Sequence, residues 1–300
     1  MGRQKRKEYA FYAVLAGTFL LITGAYGSGE KSVQQNAKEM GAVAEKAVAE
    51  PEYVPAVRLY AGIFTKLDGE EYAVIEKNKD IRVAAANRGY FDESDVYSFL
   101  QGPKSWGEGR AWSGEWSNQY VRGNYFGNFG CGLCCMANIY STFSGHTCSP
   151  WDMFLYAREV SGYTPTKKIG AIGWGDMKTV MRKCGFDAEL YTKPQDYETF
   201  RDQVRSAKSV VVLVSSHDDN TYWKKTGGHY VNISLYKEDT DEVFLADPAD
   251  PDGNRNYIPL RYVYDALKTV SKYQYLLVNG YSEEQNQWKQ DGIDEAWVAP

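Results

Sequence analysis

The chain has 300 residues, 43% of them hydrophobic, with a formal net charge of -5 and a pI near 5.4. That length can bury one full core plus an appendage. The acidic balance argues against a nucleic-acid partner, which needs a basic face, since no Lys/Arg stripe appears past the first residues.

Residues 1–27 open with Arg3, Lys5, Arg6 and Lys7 ahead of an apolar run from Tyr9 to Leu21 that continues to Ala25. Such a run reads either as a cleaved signal peptide, with Thr23 and Ala25 as small residues before the cut, or as an uncleaved membrane anchor. In both cases the positive flank stays in the cytoplasm and everything after Tyr26 is expected outside, so this segment is the part predicted to contact the membrane. No cysteine follows the run, so a lipid anchor is not expected.

Residues 28–55, rich in Ala, Glu, Lys and Gln and ended by Pro51 and Pro55, read as a solvated helical stalk. Residues 56–101 read as a small extension in which alternating apolar residues at 57–64 and 72–83 flank the turn Leu67-Asp68-Gly69 as a hairpin. The main domain is expected over residues 102–281. It opens on a glycine-rich stretch carrying Trp106, Trp112, Trp116, Tyr120, Tyr125, Phe126 and Phe129. A loop of that kind packs over a cleft or lines one; Trp112, Trp116 and Tyr120, with Gly228 further on, are the expected substrate contacts.

Helices are predicted from Cys131 to Phe143, from Ser149-Pro150-Trp151-Asp152 to Val160, from Trp174 to Lys183 and from Tyr197 to Ala207. Strands are predicted at Val210 to Ser215, Tyr230 to Tyr236, Glu242 to Ala246 and Tyr273 to Val278, on β-branched and alternating apolar residues. Helices first and strands later point to an α+β fold. Residues 282–300 read as a polar tail covering surface only.

Five cysteines, an odd number, leave at least one thiol unpaired in an exported chain even if the others bridge. Cys131 stands between Gly130 and Gly132 at a predicted helix start, where the helix dipole and free amides favour a thiolate. Cys134 and Cys135 follow on the same helix and read as packing residues. Of three histidines, His146 and His217 read as surface residues. His229 opens a strand after two glycines, which suits a base that takes a proton across a cleft. Asp247 ends the next strand, where it could fix the imidazole tautomer or merely cap a turn before Pro248. Gln119 could donate its amide to an oxyanion together with the Cys131 N–H.

The order Gln119, then Gly130-Cys131-Gly132 opening a helix, then Gly228-His229-Tyr230-Val231 opening a strand, then Asp247-Pro248 ending the next, resembles the papain-like cysteine peptidases of the bacteriocin-leader-processing (double-glycine) type and their secreted relatives. The resemblance covers roughly residues 119–278. It implies a papain-like fold, with an N-terminal helix carrying the cysteine packed on an antiparallel sheet carrying the histidine and aspartate. It further implies that Cys131 attacks, His229 is the base, Asp247 orients it and Gln119 supports the oxyanion, with a peptide or amide bond as target and no metal or cofactor. Leu133 departs from the proline many relatives carry. The chain also lacks transporter helices and a Walker-type loop, so leader cleavage is not the expected reaction.

The expected partner is a peptide or protein substrate, cell-wall peptide included, met by a monomer. Competing readings are a catalytically silent peptide or glycan binding module on the same fold and a cell-wall peptide amidase. Two further rivals are a thiol-disulfide oxidoreductase built on Cys131 and Cys134, and a zinc site drawing on the cysteines with His146. The first lacks the preceding buried strand that its motif requires, and the second lacks a paired knuckle.

Overall fold

The computed structural model describes residues 91–166, 170–216 and 222–300. The expected membrane segment, stalk and hairpin lie outside them, as does His217. Among the described residues no helix is long and apolar enough to cross a membrane.

Five helices frame one sheet: α1 (Cys131–Phe143), α2 (Pro150–Ser161), α3 (Trp174–Lys183), α4 (Tyr197–Ser206) and α5 (Leu260–Ala266). The sheet holds β1 (Cys184–Tyr191), β2 (Ser209–Val214), β3 (His229–Lys237), β4 (Glu242–Ala246), β5 (Asn256–Pro259) and β6 (Tyr275–Asn286). Its order is β1-β6-β2-β3-β4-β5, antiparallel throughout. The α+β expectation therefore holds, and the boundaries of α1, α3, α4 and β4 fall within a residue of the predicted ones.

The local reasons are plain for most elements. The Ser149 hydroxyl accepts a hydrogen bond from the Asp152 amide and the Asp152 carboxylate accepts one from the Ser149 amide, with Pro150 in the first turn and Gly162 at φ 75 closing α2. Asp196 caps α4 through the Thr199 amide. The run Val210-Val211-Val212 is apolar without alternation because both faces of β2 are covered. Val211, with Tyr230, Leu276 and Val278, packs against α1, α2 and α3. Val210, Val212 and Val214 pack the opposite way, against α4 and α5.

Three expectations need correction. The domain starts before residue 102: Tyr97, Phe99 and Leu100 are buried in the main core, and the Phe99 amide donates to Asn138 of α1 at 2.8 Å. Residues 282–300 are not a polar surface tail. β6 runs on to Asn286, Trp288 stacks on Tyr156 with ring centroids 4.5 Å apart, and Trp297 is buried. Trp112 donates its amide to Val298 and Val298 donates back to Ser113, which stitches this segment to the aromatic loop.

Trp112 and Trp116 are core residues instead of cleft residues. They are 2% and 0% exposed, lie edge-on to Phe99 at 5.9 and 5.3 Å, and the Trp116 indole donates to the Leu100 carbonyl. Apolar rings of this size gain more from mutual burial than a polar, glycine-rich context suggests. Strands β1 and β5 and helix α5 were not predicted. β1 does alternate Phe186, Ala188 and Leu190, whereas β5 and α5 are too short for a pattern to register.

Replacing Trp297 by alanine tests whether the C-terminal segment belongs to the core. Urea denaturation is expected to show a loss of about 3–5 kcal/mol, where a surface residue would give less than about 0.5 kcal/mol.

Candidate active site

A helical turn, Phe126–Phe129, leads through Gly130 into α1, whose first residue is Cys131. No side chain caps the α1 N-terminus, so its first amides and the positive end of its dipole face the sulfur. Gly130 and Gly132 are both required for this approach. A Cβ on Gly130 would lie 2.3 Å from the Phe126 ring, and one on Gly132 would lie 2.6 Å from Ile172 and 3.3 Å from the ring of Tyr230 in β3. Tyr230 follows His229, so the missing side chain at position 132 lets the helix start close against the strand start.

His229 and Asp247 come together through sheet register. His229 pairs with Val214 of β2 at the beginning of β3, and Asn232 pairs with Ala246 at the end of β4. Continuing that register puts Asp247 diagonally beside His229. The ring Nε2 and Asp247 Oδ1 are 2.6 Å apart. Since Nε2 is taken, Nδ1 is the nitrogen left for Cys131, whose nearness favours the protonated ring. Cys131, His229 and Asp247 are 7%, 8% and 1% exposed, so the group is nearly dry and Asp247 is its most enclosed member.

Asp247 is held by more than histidine. Its Oδ2 accepts the Trp223 indole N–H at 2.8 Å, and its Oδ1 accepts the amides of Ala249 and Asp250 at 2.9 and 3.2 Å. Burial alone would raise this carboxyl. The His229 hydrogen bond and charge, with Trp223 and Ala249, hold it below its ordinary value instead. For His229, burial pushes downward, but the hydrogen bond and negative charge of Asp247, with the nearby Cys131 sulfur, raise it to about 10.

The other thiols differ from Cys131. All five cysteines are free, yet Cys134, Cys135, Cys148 and Cys184 are fully buried. Burial pushes each thiol well up, with the Cys131 charge adding to the shift of Cys134 and Cys135. A redox pair of Cys131 with Cys134 would need the second sulfur exposed. Among the described residues no group of three His, Cys, Asp or Glu could hold a metal ion.

Gln119 follows a 3-10 turn, Glu115–Asn118, and is half-buried. Its carbonyl accepts the Phe126 amide at 2.9 Å, which ties it to the turn leading into Cys131. Tyr120 is 52% exposed and packs on Tyr125 with ring centroids 3.9 Å apart. Gly228 is exposed beside His229, and a Cβ there would sit 2.7 Å from Lys268 Nζ. His146 lies elsewhere, hydrogen-bonded to Glu283. Two residues at the site went unnoticed in the sequence. Trp223 precedes the glycines with no spacing signal linking it to Asp247, and Asn254 accepts the Asp247 amide at 3.0 Å from a turn. A cavity of about 460 Å3 adjoins His229 and Asp247 on the side of Trp223.

The family model of the Peptidase C39-like family matches residues 116–288. This span is more than half of the chain and contains Gln119, Cys131, His229 and Asp247. The chain belongs to the Peptidase C39-like family. No curated protein matches it. The mixed helices and antiparallel sheet are the α+β, papain-like arrangement of a cysteine-peptidase-like fold. Around that Peptidase C39-like core the chain adds residues 91–115 before the match and residues 289–300 after it, joined through Trp112, Trp297 and Val298.

Folding raises His229 from an ordinary 6.5 to about 10. Protonation of this ring therefore stabilises the fold fully below about pH 6.5, and that contribution is lost as pH rises through 10. NMR titration of the ring should give a midpoint near 10, moved downward in Cys131→Ala because the sulfur that favours the protonated ring is gone. A midpoint near 6.5 in the unaltered protein would mean that no charged pair forms.

Proposed function

We propose that the protein is a cysteine hydrolase, acting as a monomer outside the cytoplasmic membrane, that cuts a peptide or amide bond. The observation that carries this reading is the buried pair of His229 and Asp247, joined through Nε2, with the second ring nitrogen left for Cys131 at the start of α1. An imidazolium beside a sulfur at a helix N-terminus favours the thiolate, which is the nucleophilic form.

In this scheme the Cys131 sulfur attacks the carbonyl carbon, and the developing oxyanion is met by the Cys131 amide and the Gln119 side chain. The C–N bond breaks, the amine departs with a proton from His229, and a thioester remains. Water then gives a proton to His229 and attacks the thioester, releasing the acid and restoring the sulfur. Asp247 keeps the ring in the tautomer and orientation that both steps need. Trp223 holds Asp247 in turn. No step requires a metal or cofactor.

The export half of the proposal rests on the positive residues before the apolar run of residues 9–25. Peptides and proteins, cell-wall peptide among them, are the substrates that location offers.

Iodoacetamide labelling with mass mapping tests the pair directly. Cys131 is expected to label fast at neutral pH and to slow in His229→Ala; labelling no faster than an ordinary thiol favours a binding module. With a substrate in hand, Cys131→Ala and His229→Ala should remove turnover by roughly 10⁶-fold and Asp247→Asn by roughly 10⁴-fold or less, the pattern of a catalytic unit. Full activity in Cys131→Ala would sink the scheme.

A further inference from the structure

Cys131 stands on a helix, whereas His229 and Asp247 stand on the sheet, so their spacing depends on how the start of α1 is held against the sheet side of the site. Residues 96–101, which lie before the span matched by the family model, cross between the two. Toward α1, the Tyr97 amide donates to Thr142 Oγ1 at 3.0 Å, the Phe99 amide to Asn138 Oδ1 at 2.8 Å and the Gln101 side chain to the Gly127 carbonyl at 2.7 Å. These contacts fall on every second residue and step back along the helix past Cys131. Toward the sheet, Arg255 donates to the Val96 carbonyl at 2.6 Å, Asn254 to the Ser98 carbonyl at 2.9 Å, and the Gln101 backbone amide to the Pro248 carbonyl at 2.8 Å. Gln101 is thus tied to both sides at once.

What lies at each end of Gln101 gives the two bonds their meaning. Gly127 belongs to the helical turn Phe126–Phe129, and the Gly130 amide closes that turn on the Phe126 carbonyl at 2.7 Å, one residue before Cys131. The turn lies close on the segment that holds it: a Cβ on Gly127 would stand 3.0 Å from Pro103 Cδ and 3.5 Å from the Gln101 carbonyl oxygen. Pro248 sits inside the loop whose next two amides, of Ala249 and Asp250, donate to Asp247 Oδ1.

The amide of Gln101 is buried, and among the described residues its Oε1 has no hydrogen-bond partner. Turning the amide over would set Oε1 against the Gly127 carbonyl oxygen, so the donor orientation is the one the surroundings accept. A buried acceptor left unpaired carries a desolvation cost that an apolar side chain of the same length would avoid. What such a side chain could not supply is the N–H to Gly127.

We propose that Gln101 is a positioning residue of the active site: its side chain holds the turn that starts the Cys131 helix while its backbone holds the Asp247 loop, which sets the sulfur against the imidazole. This rests on the cysteine-hydrolase reading, because the spacing matters to chemistry only if Cys131 and His229 act as a pair.

The test uses the full-length protein and the variants Gln101→Met and Gln101→Glu. Methionine fills the space of glutamine and adapts to its packing, keeps the backbone bond to Pro248, and cannot donate to Gly127. In Gln101→Met, iodoacetamide labelling of Cys131 at neutral pH is expected to slow roughly ten- to hundredfold, while the buried Cys134, Cys135, Cys148 and Cys184 stay protected. The NMR midpoint of His229 should move from near 10 part of the way toward its value in Cys131→Ala, as the sulfur draws back from the ring. Gln101→Glu offers rescue, since a protonated carboxyl can donate to Gly127 and an ionised one cannot. Its labelling rate relative to the unaltered protein should rise as pH falls from about 8 to about 5, where the ratio for Gln101→Met stays level.

An unaltered Cys131 rate and His229 midpoint in Gln101→Met overturn the positioning role and leave the hydrolase reading intact. Labelling of all five cysteines together in both variants also overturns it, because Gln101 would then support the fold as a whole. Cys131 of the unaltered protein labelling no faster than an ordinary thiol overturns the hydrolase reading, and the positioning role with it.

Discussion

The separation between Cys131 and His229 is governed by a contact one residue further along each element, where Gly132 of α1 meets Tyr230 of β3. A side chain at position 132 would collide with Ile172 and crowd Met177 and Tyr230, pressing the helix start away from the sheet. Close-packed interiors have no slack to absorb such a displacement. Deeper in the interface, Asn138 of α1 donates to Asn232 of β3 at 3.1 Å, so a polar pair sets the register of helix on strand where apolar contacts alone would allow sliding. The bare N-terminus of α1, the imidazole and the carboxylate all inherit their relative positions from that docking.

On the far side of the imidazole the architecture works by satisfaction of a buried charge. A carboxylate as enclosed as Asp247 is costly unless its lone pairs are filled, and here a ring N–H, an indole N–H and two backbone amides fill them. Asn254 accepts the Asp247 amide and reaches on to the Ser98 carbonyl. Arg255 donates to Val96 and Ser98 while lying over the Trp112 ring at 4.9 Å. The segment before the family's domain is thereby connected to the residue that orients the base.

The aromatic loop serves the site from behind. Trp112, Trp116 and Trp297 each meet Phe99 edge-on in one buried cluster, and the chain leaves it through a 3-10 turn to place Gln119 ahead of the Cys131 helix. Rings that looked like a substrate grip are a rigid base for that turn. The exposed aromatics of this loop are Tyr120 and Tyr125, on the two-residue ladder that follows.

Signals confined to a few neighbouring residues were legible in the sequence: the capping box at Ser149, the β-branched run of β2, the strand ending at Ala246, and the glycines flanking Cys131. Order along the chain also singled out Cys131, His229 and Asp247 as one group. Other features depend on partners distant in sequence. Trp112 and Trp116 are buried because Phe99 and Trp297 meet them, and the C-terminal segment is core because Trp288 finds Tyr156. Trp223 bears on the site because a loop folds its indole onto Asp247. By itself the sequence determined where α1 to α4 and β2 to β4 begin and which residue types could do chemistry, since these follow from backbone sterics, capping and thiol or imidazole chemistry. Only the tertiary structure decided which aromatics are interior and which ring nitrogen faces the sulfur, because each is a matter of what the folded chain excludes from water.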